Sequence, residues 1–185
     1  MRNVLFVISG PSGVGKGTIA KLLIERNPQF ALSISCTTRQ PREGERNGKE
    51  YFFITKEDFL QKVADDGFLE YSNHFENFYG TPKDFVFNKL KSNDVLLEID
   101  VNGGLNVKSS YKDAVLIMIL PPSLEEIKNR LIKRGTETLE KIELRMTRMG
   151  YELEKQSLYD YAVVNDDLMT AVESIEEIIK KEKLK

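Results

Sequence analysis

Hydrophobic positions fall along this chain in two rhythms. Residues 5–8 (Leu-Phe-Val-Ile) and 114–120 (Ala-Val-Leu-Ile-Met-Ile-Leu) are apolar throughout, as parallel strands covered on both faces are. Residues 95–100 begin the same way and end in acids, and residues 161–164 make a last short strand. Helical spacing takes over between them. It predicts a helix after a glycine-rich turn as far as Ile24, then helices over 103–111, over 124–133 with Ser123 as cap and Gly135 as stop, and over 168–183. A long helix from Thr138 carries Leu139, Ile142, Met146, Met149 and Leu153 as a packing stripe. Strands alternating with helices predict an α/β fold around a central parallel sheet.

The rhythm breaks between about 33 and 90, where short strands and small helices predict an inserted lobe. Residues 30–36 alternate like one short strand and lead into an ordered polar loop over 37–51. A strand over 51–54, a helix over 56–64 capped by Thr55, and a strand over 68–75 follow. Residues 78–81 end in a turn, and a helix over 83–91 starts after Pro82.

The turn between the first strand and the first helix carries the clearest chemistry. Gly10, Gly13 and Gly15 let the backbone approach an anion, so that amides and the first helical turn point at phosphate oxygens. Lys16 completes G-x-x-x-x-G-K and supplies an ammonium for the outer phosphates. The alternative, a glycine-rich turn beside a solvated lysine, needs spacing, lysine and flanking elements to coincide by accident. The motif departs from its usual form at the next position, where Gly17 stands in place of a metal-ligating Ser or Thr and Thr18 follows. Adjacent helical residues point about 100° apart, so Thr18 does not simply replace the hydroxyl. Mg²⁺ would then be held largely by phosphates and water, with Thr18 as the candidate side chain.

Composition narrows the classes. At 185 residues the chain holds one core, and its 30% of charged residues beside 41% hydrophobic ones is ordinary for a globular protein. A net charge of −2 provides no global field for nucleic acid or membrane. The single cysteine, Cys36, excludes an internal disulfide and a cysteine-based zinc site, and His74 is the one histidine. The apolar start is too short for a signal peptide, no run approaches membrane-spanning length, and a cytoplasmic protein is expected. The lysine-rich residues 180–185 read as a frayed helix end.

Two further clusters bear on function. Glu98 and Asp100 fall on one face of a strand ending beside the phosphate loop, where a nucleotide site needs acids; a strand merely ending in exposed acids is the bland alternative. Lys141, Arg145 and Arg148 form a cationic stripe, and Arg130 and Arg134 precede it, so five basic side chains gather around one mobile hinge. The N-K-x-D signature of guanine-specific GTPases is missing, because residues 88–91 (Asn-Lys-Leu-Lys) lack the acid. Phosphoryl transfer to a small acceptor remains, where catalysis is positioning and charge neutralisation.

Taken jointly, residues 10–18 (Gly-Pro-Ser-Gly-Val-Gly-Lys-Gly-Thr), 35–42 (Ser-Cys-Thr-Thr-Arg-Gln-Pro-Arg), Gly44 and Glu45 with Gly48 and Tyr51, 78–81 (Phe-Tyr-Gly-Thr), Glu98 to Asp100, 134–138 (Arg-Gly-Thr-Glu-Thr) and 164–167 (Val-Asn-Asp-Asp) resemble the guanylate kinase family over nearly the whole chain. The resemblance implies ATP + GMP ⇌ ADP + GDP with Mg²⁺ as cofactor, dGMP as a second acceptor, and ATP and GMP as the partners of a monomer or homodimer. It implies a P-loop three-layer fold: a core over about 1–32, 93–125 and 160–185, a mixed α/β GMP-binding lobe over 33–92, and a helical lid over 126–159. Gly10, Pro11, Ser12, Gly13, Val14, Gly15, Lys16, Gly17 and Thr18 would bind ATP, with Arg130 and Asn165 at the adenosine end. Lys16, Arg134 and Arg145 would be catalytic. Ser35, Arg39, Arg42, Tyr51 and Tyr79 would hold the GMP phosphate; Glu70, Thr81 and Asp100 would read guanine, with Glu98 beside them. Thr81 stands where the family commonly has serine, which keeps the hydroxyl. Two alternatives stay open: a family-like binding module without catalysis, and a kinase for another monophosphate or a small alcohol.

Overall fold

The computed structural model describes residues 2–74, 76–134 and 138–185. In chain order the elements are β1 (Leu5–Ser9), α1 (Lys16–Arg26), β2 (Phe30–Leu32), β3 (Cys36–Thr37), β4 (Phe52–Phe53), α2 (Lys56–Ala64), β5 (Phe68–His74), β6 (Asn77–Pro82) and α3 (Lys83–Leu90). Then come β7 (Asp94–Glu98), α4 (Val101–Ser110), β8 (Val115–Leu120), α5 (Leu124–Arg134), α6 (Leu139–Leu153), a 3₁₀ turn (Glu154–Leu158), β9 (Tyr161–Val164) and α7 (Leu168–Lys183).

Five strands form a wholly parallel sheet in the order β2-β7-β1-β8-β9, which puts β1 and the loop after it at the centre. Alternation along β1 sends Phe6 and Ile8 to the face covered by α1 and α7, and Leu5 and Val7 to the face covered by α3 and α4. Both faces are therefore dry, which is why β1 is apolar from Leu5 to Ile8 and β8 along its whole length. Each such side chain contributes roughly 1.5–3 kcal/mol by leaving water. The result is the expected three-layer α/β architecture.

A second sheet, β4-β3-β6-β5, stands beside the first and is mostly antiparallel, with β3 and β4 parallel. Its core is Cys36, Phe59 and Phe68, the two rings stacked at 4.5 Å. Three expectations change here. Residues 30–36 are two strands, not one: β2 belongs to the parallel sheet and β3 to the second, and the chain crosses between them at 33–35. Residues 78–81 lie inside β6 and do not end in a turn. Gly80 is a strand glycine because a Cβ there would lie 2.9 Å from the Phe68 ring and 3.1 Å from the Phe59 ring. In the stretch 51–54 only Phe52–Phe53 joins the ladder, while Tyr51 pairs singly with Asn47.

Three more corrections concern the parallel layer. Helix α4 starts at Val101, two residues before the expected Gly103, because Asp100 caps it by accepting from the Gly103 N–H at 2.8 Å. Leu139 is 67% exposed and leaves the packing stripe of α6, whereas Ile142 and Met149 are buried. The basic tail is tied down, since Lys183 pairs with Asp94, a buried carboxylate that also accepts from the Val4 N–H at 3.0 Å. The Gly135 helix stop and the His74 side chain lie outside the described residues.

Candidate active site

The loop between β1 and α1 is shaped by crowding. A Cβ on Gly10 would lie 2.4 Å from the Ile119 carbonyl oxygen, and one on Gly15 would lie 2.6 Å from the Asn165 amide nitrogen. Gly15 also has φ +93° at the position that caps α1. Asn165 Nδ2 donates to the Val14 carbonyl at 2.7 Å, so this residue braces the loop from behind. Lys16 Nζ donates to the carbonyls of Gly10 at 2.6 Å and Pro11 at 3.1 Å, which suspends its ammonium over the loop. Burial pulls its pKa below the ordinary lysine range, and the carboxylates of Glu98, Glu152 and Asp100 oppose that shift.

A cavity of about 640 Å³ opens above the loop. Gly10, Ser12, Gly13, Gly15, Lys16, Gly17 and Thr18 line it on one side and Glu98 and Asp100 on another, with α6 closing the third through Arg145, Arg148, Met149 and Glu152. Arg145 Nη2 donates to Ser12 Oγ at 2.8 Å, and Arg148 pairs with Glu152 at 3.2 Å. Pro11, Val14 and Asn165 stand behind this lining and outside it. The side chains of Arg130 and Arg134 lie outside the described residues.

A second cavity of about 540 Å³ lies between the two sheets. It contains Ser35, Arg39, Arg42, Tyr51, Glu70, Tyr79, Glu98 and Asp100, all anticipated from the sequence. Thr81 lies beneath the surface, fully buried, and donates from Oγ1 to Glu70 Oε1 at 2.7 Å. Arg39 is held by Glu45 at 2.9 Å, by the Gln40 carbonyl at 2.8 Å, and by the Tyr51 and Phe53 rings at 5.5 Å and 5.8 Å from their centroids. Glu45 also accepts from the Arg42 N–H at 2.8 Å, which clips the cationic loop together. Burial pushes the Glu70 carboxyl up to about 7, with the Thr81 hydrogen bond acting the other way. The Glu98 carboxyl is also raised by burial, against the pull of Lys16.

Glu98 and Asp100 belong to both cavities. The two chambers therefore meet at a shared acidic wall, one lined by the phosphate loop and the other by Arg39 and Arg42. Residues not anticipated as ligands also line them. Ser72 and Asn77 follow from period-two spacing with Glu70 and Tyr79 along β5 and β6, and Glu152 from helical spacing with Arg145 and Arg148. Among the described residues no group of three or more His, Cys, Asp or Glu could hold a metal ion. The oxygen donors beside the loop, Thr18, Glu98 and Asp100, are nevertheless of the kind that suits Mg²⁺ associated with phosphates.

A family model described as guanylate kinase matches residues 2–182. The chain belongs to the guanylate kinase family. Similar proteins include a guanylate kinase of Clostridium tetani, 53% identical over 98% of this chain and 88% of its own length. Another is a guanylate kinase of Caldanaerobacter subterraneus, 52% identical over 98% and 89%. Among solved structures, guanylate kinase from Anaplasma phagocytophilum superposes with a TM-score of 0.79 at 31% identity, covering 100% of this chain and 88% of that one. Shikimate kinase from Bacteroides thetaiotaomicron, at 14% identity and TM-score 0.54 over 96% and 98%, shares the fold. Among the described residues no helix is long and apolar enough to cross a membrane.

Proposed function

We propose that this chain, like the guanylate kinases it resembles, transfers the γ-phosphoryl group of ATP to GMP, reversibly and by direct in-line attack, with dGMP as a second acceptor. The observation that carries the reading is the pair of chambers sharing Glu98 and Asp100, because donor and acceptor phosphates must meet within bonding reach. ATP phosphates lie on the amides of residues 13–18 and on Lys16, with Arg145 and Arg134 neutralising charge on the transferring group as α6 closes. Arg130 serves the adenosine end, and Asn165 contributes there through the loop it braces.

In the acceptor chamber Arg39, Arg42, Ser35, Tyr51 and Tyr79 hold the GMP phosphate; forked guanidinium groups match its oxygens. The carboxylates of Glu70 and Asp100 accept from guanine N1–H and the amino group at C2, both of which adenine lacks. Thr81 fixes Glu70 for that task. Thr18, Glu98 and Asp100 would offer oxygen to Mg²⁺ held mainly by phosphates and water, and the ion would supply charge neutralisation there. The five-stranded layer is the core, residues 33–92 the GMP-binding lobe, and residues 126–159 the lid. The protein acts in the cytoplasm, in purine nucleotide metabolism, as a monomer or homodimer with no nucleic acid or membrane partner.

The test is ADP release with ATP, Mg²⁺ and a panel of nucleoside monophosphates. GMP should support turnover far above AMP, CMP and UMP. ATP binding without GMP-dependent ADP formation would overturn the assignment in favour of a binding module.

A further inference from the structure

The β5–β6 hairpin brings two cross-strand rungs to the face that lines the acceptor chamber, Glu70 opposite Thr81 and Ser72 opposite Tyr79, and Asn77 follows on that face two residues before Tyr79. The functional reading uses the first rung for the base and Tyr79 for the phosphate, and leaves Ser72 and Asn77 without a task. Both are half-buried members of the lining. Among the described residues neither side chain is hydrogen-bonded to another, so both keep their donors and acceptors for a ligand.

Their level in the chamber decides what they meet. Successive residues on one face of a strand are about 7 Å apart, so Ser72 lies one such step along β5 from Glu70, in the direction of the hairpin turn. In a nucleoside monophosphate the sugar stands between base and phosphate. Tyr79 on the same rung is long, and its phenol reaches the Arg39 guanidinium. The serine hydroxyl stays close to the strand, at the height of the sugar.

We propose that Ser72, flanked by Asn77, forms the sugar subsite of the acceptor chamber, its hydroxyl bonding one hydroxyl of the ribose diol and favouring the ribonucleotide over a deoxy counterpart. This rests on the acceptor being GMP. A site that hydrogen-bonds a substrate hydroxyl discriminates against the analogue lacking it, by a margin that shrinks with exposure to water. For a half-exposed neutral bond the margin is about three- to tenfold.

The experiment measures kcat/KM with GMP, 2′-deoxy-GMP and 3′-deoxy-GMP for the wild-type chain, Ser72→Ala and Ser72→Thr. In Ser72→Ala, GMP should lose about three- to tenfold while the analogue lacking the bonded hydroxyl stays within twofold; Ser72→Thr should keep the GMP preference. An equal loss on all three nucleotides, or no loss on any, overturns the sugar subsite. Calorimetric binding of the three to the wild-type chain needs no variant to fold: weaker binding of one deoxy analogue supports the proposal, and equal binding of all three overturns it. A wild-type chain inert toward GMP defeats the functional reading itself, whereas an active one with unmoved ratios defeats only this subsite.

Discussion

In the proposed reading, Glu70 ties recognition to stability. It is 8% exposed, and burial holds its carboxyl near 7, above the ordinary 4.5. The folded chain therefore binds a proton more tightly than the unfolded one, and stability falls as pH rises from about 4.5 through about 7. Replacing it with the neutral Glu70→Gln should stabilise the ligand-free protein by about 1–3 kcal/mol at pH 8, read as a raised Tm, and gain nothing at pH 4.5. The same variant should narrow the preference for GMP over AMP, since the amide no longer accepts from both guanine donors. In the wild type, GMP affinity relative to AMP should weaken as pH falls below about 7, because the protonated carboxyl loses one acceptor. At Lys16 the expectation is different in kind. Lys16→Ala should abolish turnover and leave GMP binding within a few fold, because its ammonium sits over the loop and lines only the first chamber.

At the scale of elements, what could be read from the sequence was whatever local chemistry decides. The strand, loop and helix over 5–26 follow from an apolar run, glycines at special positions and a helical stripe, none of which needs a distant partner. The division of residues 30–37 between two sheets was hidden, because alternation is the same whichever sheet supplies the hydrogen bonds. Gly80 misled for a related reason: its lack of a side chain answers rings on β5 and α2, not a local turn. Gly80→Ala should cost about 1–3 kcal/mol by overpacking against Phe68 and Phe59, measured by denaturant midpoint. A turn glycine with space around it would cost less than about 1 kcal/mol there. Within the chambers, Glu98 was legible with Asp100 as an acid ending an apolar strand, whereas Arg39 and Arg42 sat in a polar loop of many charges and were marked out by the family resemblance. Asn165 was not legible as a brace, since its partner Val14 lies 151 residues away in the chain.

Across the whole molecule the design is two chambers on either side of one wall. Asp100 has two tasks there, lining both cavities and capping α4 through Gly103. Asparagine caps about as well as aspartate, so Asp100→Asn separates them. Stability should change by less than about 1 kcal/mol while GMP-over-AMP selectivity drops. A loss of fold without loss of selectivity would restrict Asp100 to capping. The shared wall also has a stereochemical consequence. If ATP and GMP lie in adjoining chambers with their phosphates facing, the γ-phosphoryl group passes once, in line, from one oxygen to the other. The most direct test is transfer from ATP made chiral at the γ-phosphorus to GMP, followed by configurational analysis of the product. Inversion is the predicted result; retention would mean a covalent phosphoenzyme and contradict direct transfer between the two chambers.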